Sequence, residues 1–144
     1  MYPFYLELEL IKPVSDYFKK QKYIVKYEVK IGFCRADIVA FKKDEVVAVE
    51  LKLNNLKKAI LQAKNYQLGV DYVYLAFPLM KSFNILRKVE LKLKNEGIGL
   101  LIVNEKTLKV SKLINSKKSN INMGHVKLNA IKFNKHHEKF RRLY

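Results

Sequence analysis

A chain of 144 residues with 49% hydrophobic content fits one domain and can bury a core. It carries 29 Lys and Arg against 13 Asp and Glu, a formal +16, which exceeds what solubility needs and attracts polyanions, nucleic acid first among them. The single cysteine, Cys34, excludes an internal disulfide, and no apolar run is long enough to cross a bilayer. The N-terminus shows no basic stretch followed by an apolar one, so a cytoplasmic location is the expectation.

Leu6, Leu10, Val14, Tyr17 and Phe18 recur at helical spacing, and Lys19 and Lys20 follow where a helix C-terminus favours positive charge. Pro13 predicts either a kink or a helix start near it. Tyr23 to Ile31 alternates and is rich in β-branched and aromatic residues, which predicts a strand. Gly32 marks a turn, Arg35 to Phe41 a second strand, Lys42 to Glu45 a polar turn, and Val46 to Leu53 a third strand. Asn54 or Asn55 caps a helix that runs to about Leu68 and stops at Gly69. Asp71 to Phe77 reads as a strand buried on both faces, stopped by Pro78. Phe83 to Asn95 is a helix broken by Gly97, and Gly99 to Val103 is a fifth strand. This order predicts an α/β fold, a mixed central sheet flanked by helices on both faces.

Charge divides the chain into a core over 1–104 and a basic C-terminal extension over 105–144. The extension holds 11 basic and 2 acidic residues. It is expected to pack on or beside the core through Leu128, Ile131, Phe133 and Phe140 while presenting its lysines to nucleic acid. His125, His136 and His137 lack the spacing of a zinc site and read as solvated.

The informative segment is Val46-Val47-Ala48-Val49-Glu50-Leu51-Lys52-Leu53. Strand alternation puts Glu50 and Lys52 on one side and Val49, Leu51 and Leu53 on the other. Alone, this is equally well an ion pair at a strand end. Asp37 tips the balance: it opens the apolar run of the neighbouring strand, one short hairpin away. Two carboxylates that close repel each other unless a cation sits between them, and a hard divalent ion takes oxygen ligands. Lys52 then stands where it can orient or deprotonate a water, or stabilise charge on a phosphate.

An acid opening one strand, acid-x-Lys on the next, and a helix thereafter resembles the PD-(D/E)xK nuclease superfamily. The family usually has proline before the first acid; here it is Ala36. The resemblance implies a restriction-endonuclease-like αβββαβ core, with Mg²⁺ or Mn²⁺ held by Asp37, Glu50 and the main-chain carbonyl of Leu51, and Lys52 catalytic. It also implies a glutamate on the first helix facing the same metal, for which Glu9 is the choice and Glu7 the reserve. Gln62-Ala63-Lys64-Asn65-Tyr66 fits the Gln-x-x-x-Tyr pattern of the RecB-type branch, close to Holliday-junction resolvases. There Gln62 and Tyr66 would border the site and bond the DNA backbone, while Arg35 would reach a phosphate beside Asp37 or pair with Asp37. The implied activity is metal-dependent DNA endo- or exonuclease hydrolysis, in repair, in recombination or as a stand-alone nuclease; the resemblance does not fix the substrate, with branched and single-stranded DNA among the candidates. Several members work as dimers, so a homodimer is a further expectation. The alternatives are a non-catalytic nucleic-acid-binding module with a nuclease-like fold, and an electrostatic RNA-associated protein that would leave Asp37 and Glu50 unexplained.

Overall fold

The computed structural model describes residues 4–120. The three histidines and the apolar anchors expected in the extension lie outside the described residues. A 3₁₀ turn (Glu7–Leu10) leads into α1 (Ile11–Lys20). Pro13 falls in the first turn of α1 and marks a helix start, not a kink. The N–H groups of that turn have no intrahelical partner, so the donor that proline lacks is not missed.

A meander of β1 (Ile24–Ile31), β2 (Cys34–Lys42) and β3 (Glu45–Leu51) follows. Then come α2 (Leu56–Tyr66), β4 (Tyr72–Pro78), α3 (Ser82–Glu96) and β5 (Gly99–Val103). Each element lies within a few residues of its sequence-based expectation. The α/β fold is a six-stranded mixed sheet in the order β1-β2-β3-β4-β5-β6, where β6 is Val110–Ile114. β1 to β3 pair antiparallel, β3 to β5 parallel, and β6 antiparallel to β5.

Val14 and Phe18 of α1 pack on Val25, Ile38, Val47, Val49 and Leu51 on one face of the sheet. Ala59 and Ala63 of α2 and Ile85 and Leu93 of α3 pack on Val39, Ala48, Leu75 and Leu100 on the other. Strand order advances one way from β3 to β5, so crossovers of one hand carry both connecting helices to the same face. Helices therefore cover both faces only because α1 closes the second one.

β6 was not foreseen, since it falls in the segment read as an extension. The sheet thus continues past residue 104, and the chain after β6 is tied to it. Ser116 Oγ donates to the Gly97 carbonyl at 3.0 Å, and Ser119 N and Oγ donate to the carbonyls of Asp71 and Gln67, each at 2.7 Å. Among the described residues no helix is long and apolar enough to cross a membrane.

The β1–β2 hairpin changes face along its length. Glu28 has φ 55°, and the ladder skips from Tyr27↔Ile38 to Val29↔Ala36. Val25, Ile38 and Ala40 face α1, but Val29, Ile31, Cys34 and Ala36 belong with the α2 side. The outer half of the hairpin therefore wraps toward α2, with Asp37 at the point where the face switches.

Candidate active site

The parallel strands β3 and β4 run side by side to Leu51↔Ala76, and Lys52 N continues the ladder to the Ala76 carbonyl at 3.0 Å. On its other side β3 parts from β2 after Ile38↔Val49. Asp37 fills the gap: its Oδ2 accepts the Leu51 N–H at 2.8 Å. The carboxyl groups of Asp37 and Glu50 bear on each other's protonation. Lys52 Nζ lies 3.7 Å from Glu50 Oε2. Strand alternation thus places Asp37, Glu50 and Lys52 at one point, as the sequence implied. Glu50 is 4% and Lys52 8% exposed.

Burial governs the protonation of this group. It pushes Glu50 up from 4.5 to about 7; the Tyr66 hydroxyl and Lys52 oppose the rise and Asp37 adds to it. Burial also raises Asp37, against the Leu51 N–H and the hydrogen bond with Glu50, while Glu7 and Glu28 add to the rise. Both carboxyls therefore hold protons more tightly than carboxyls in water.

Tyr66 corrects an expectation. It has no exposed surface, and its hydroxyl lies 2.6 Å from Glu50 Oε1 and 2.8 Å from the Arg35 carbonyl. Such a phenol does not reach a phosphate; it positions Glu50 instead. One hydroxyl proton faces two acceptors while Glu50 is ionised, whereas a protonated Glu50 can itself donate to the phenol oxygen. Burial, followed by Glu50, raises the Tyr66 hydroxyl, so it keeps its proton. Gln62, one turn earlier on α2, is half-buried, and its buried Oε1 has no hydrogen-bond partner among the described residues.

Glu9 is the second correction. It does not face the pocket, because its Oε1 accepts the N–H groups of Tyr5 and Leu6 at 2.9 and 2.8 Å and so caps the N-terminus of its own 3₁₀ turn. The reserve choice, Glu7, is the acid on this side: its Oε2 accepts the Leu53 N–H at 3.4 Å, and its charge bears on Asp37. No capping signature marks the role of Glu9 in the sequence, since the residue three before it is Leu6, not a Ser or Thr. Arg35 is exposed and donates from Nη1 to the Glu28 carbonyl at 3.2 Å. The ion pair with Asp37 that the sequence allowed is not formed.

For a hard cation the donors present are two carboxyls and the Leu51 carbonyl. In an extended strand a residue's N–H and C=O point to the same edge. The Leu51 N–H points at Asp37, so its carbonyl opens on that side too. Among the described residues no group of three or more His, Cys, Asp or Glu side chains is arranged to hold a metal ion. The set fits a cation that keeps most of its own water, as Mg²⁺ does with one or two carboxylates.

No protein-family model matches the chain, and no curated protein matches it. Solved structures do. A protein of unknown function from Silicibacter pomeroyi is similar at 17% identity and a TM-score of 0.72, over 99% of this chain and 91% of that one. An XisH family protein from Nostoc punctiforme is similar at 19% identity and a TM-score of 0.56, over 74% of this chain and 97% of that one. At these identities the likeness is one of fold.

Proposed function

We propose that the chain is a metal-dependent nuclease that hydrolyses phosphodiester bonds of DNA, as its resemblance to the PD-(D/E)xK nucleases implies. The observation that carries this reading is the buried cluster at the end of β3. Asp37 and Glu50 bear on each other's protonation, and Lys52 Nζ stands 3.7 Å from Glu50 Oε2. Two neighbouring carboxyls, one half-buried and one buried, repel when both are ionised, and a divalent cation relieves that cost. Mg²⁺ or Mn²⁺, when bound, would neutralise charge on the phosphate and make water a better nucleophile.

The chain's own residues then divide the work. Asp37, Glu50 and the Leu51 carbonyl hold the cation, and Tyr66 keeps Glu50 oriented. Lys52 offers a positive charge, or a proton acceptor for the attacking water, at the mouth of the site. Gln62 presents an acceptor that a ligand donor can fill, and exposed Arg35 can hold a backbone phosphate. The excess of positive charge supplies affinity that is independent of sequence.

A second reading, a nucleic-acid-binding module that does not cut, is favoured by one observation: Glu9 caps its own turn and adds no third carboxylate to the pair. Incubating the protein with linear, single-stranded and branched DNA in Mg²⁺, in Mn²⁺ and in a chelator separates the two. The nuclease reading expects cleavage only with metal, and loss of it in Asp37→Ala. Binding without cleavage under every metal condition would establish the second reading.

A further inference from the structure

Phe33 sits at the tip of the β1–β2 hairpin and is 95% exposed. Tight turns of this kind favour Gly, Asn and Asp, and an apolar ring in water gains nothing there. The tip is nevertheless held firmly. Gly32 has φ 62°, and a Cβ on it would come within 2.5 Å of Asn65 Oδ1. Asn65 of α2 donates from Nδ2 to the Ile31 carbonyl at 2.7 Å, and its Oδ1 accepts the Phe33 N–H at 3.5 Å. One helix side chain thus clamps the backbone on both sides of the turn while the phenyl ring points away.

One pair behind the tip, Lys30 and Arg35 stand directly opposite each other across the hairpin, and both are exposed. Like charges in that position oppose strand pairing. Among the described residues neither forms an ion pair. From the tip, β2 leads to Asp37 in four residues, about 13 Å of extended chain. A rigid exposed ring flanked by two unneutralised cations matches a ligand with a planar apolar face and phosphates beside it.

We propose that Phe33 stacks on an unpaired base of a DNA strand while Lys30 and Arg35 hold its phosphates, a few nucleotides from the phosphate at Asp37. The tip would make the protein prefer single-stranded or frayed DNA over a fully paired duplex. This rests on the nuclease reading of the Asp37 site, and it names the substrate class of that site.

The full chain contains no tryptophan, so Phe33→Trp supplies a lone indole reporter. In metal-free buffer a mixed-sequence single-stranded oligonucleotide should quench that indole strongly, and a blunt duplex weakly. Phe33→Ala should bind the single strand about ten-fold more weakly, the order expected for one lost base–aromatic stack. Its loss on the blunt duplex should be smaller, and Phe33→Trp should keep single-strand affinity. Unchanged affinity in Phe33→Ala, or equal losses on both DNAs, overturns the stacking role and leaves the nuclease reading standing. If the unsubstituted chain binds and cleaves no DNA, the nuclease reading fails and the stacking role falls with it. A Phe33→Ala chain that sediments as a monomer where the unsubstituted chain is a dimer, with single-strand affinity per subunit intact, assigns the ring to a second copy and overturns the proposal.

Discussion

Glu50 gives the site a pH signature. Its carboxyl ordinarily titrates near 4.5 and does so at about 7 in the fold. Between those values the folded chain binds more protons than the unfolded chain, so stability falls as pH rises through the window and is lowest above it. The fall amounts to roughly 3 kcal/mol for a shift of this size. Thermal unfolding in chelator from pH 5 to 8 should show the melting temperature dropping. Glu50→Gln should flatten the slope, and Mg²⁺ or Mn²⁺ should recover part of the loss above pH 7. A pH-independent melting temperature would falsify this reading of the buried pair. Lys52→Ala should abolish cleavage while DNA affinity changes little, because many other cations carry the affinity. Tyr66→Phe removes a hydrogen bond that holds Glu50 down, so the acid limb of the pH–rate profile should move to higher pH. A purely structural Tyr66 would lower activity and leave that limb in place. Glu50 and Lys52 were legible because strand alternation puts them on one side, and Asp37 because a short hairpin sets its strand beside theirs. Tyr66 was half legible: spacing of four gives the helix face but not the depth, and depth makes it a support for Glu50.

The elements were read almost to the residue wherever a strand is buried on both sides, as in β3, β4 and β5. β6 was missed for the opposite reason. Ser111, Lys112 and Leu113 are exposed, and Val110 is half-buried, so an edge strand of five residues carries almost no apolar pattern. Its importance is still testable. A chain ending at residue 104 would leave the N–H and C=O groups on the β6-facing edge of β5 unpaired and open to other chains. That truncation should be insoluble or aggregated by light scattering, whereas a chain ending at 120 should stay folded and monodisperse. The change of face in the hairpin was equally hidden, since it depends on one positive φ at Glu28, a residue type that gives no hint of it. The turn itself was marked by Gly32. Gly32→Ala meets both an unfavourable φ and the Asn65 amide, and should cost about 1–2 kcal/mol in chemical unfolding.

At the scale of the molecule, charge was the plainest message in the sequence and the least tied to any one element. The described residues carry the site, and the remaining C-terminal residues add further lysines and arginines. Each phosphate neutralised contributes roughly −0.9 to the slope of log affinity against log salt. Removing residues 134–144 should therefore weaken DNA binding and flatten that slope, with the pH signature of Glu50 unchanged. An unchanged slope per subunit, together with conversion of a dimer to a monomer in sedimentation, would instead make this segment an assembly element. The composition states that cations are there; it does not say which of them share a face, because a solvated lysine imposes no pattern on its neighbours.

Asp37 stands where a neighbouring strand would otherwise have supplied a carbonyl, and its Oδ2 takes the Leu51 N–H in that carbonyl's stead. Under the proposed function one carboxylate is both stitch and tool. Asp37→Asn keeps an oxygen for the stitch and discards the charge, whereas Asp37→Ala discards both and frees the strand end to fray. Amide hydrogen exchange at Leu51 should be slow in the unsubstituted chain and in Asp37→Asn, and fast in Asp37→Ala. A protein that has lost the charge but whose sheet end is still sewn shut is thus one atom away from the unsubstituted one, while a frayed one has lost the carboxyl group altogether.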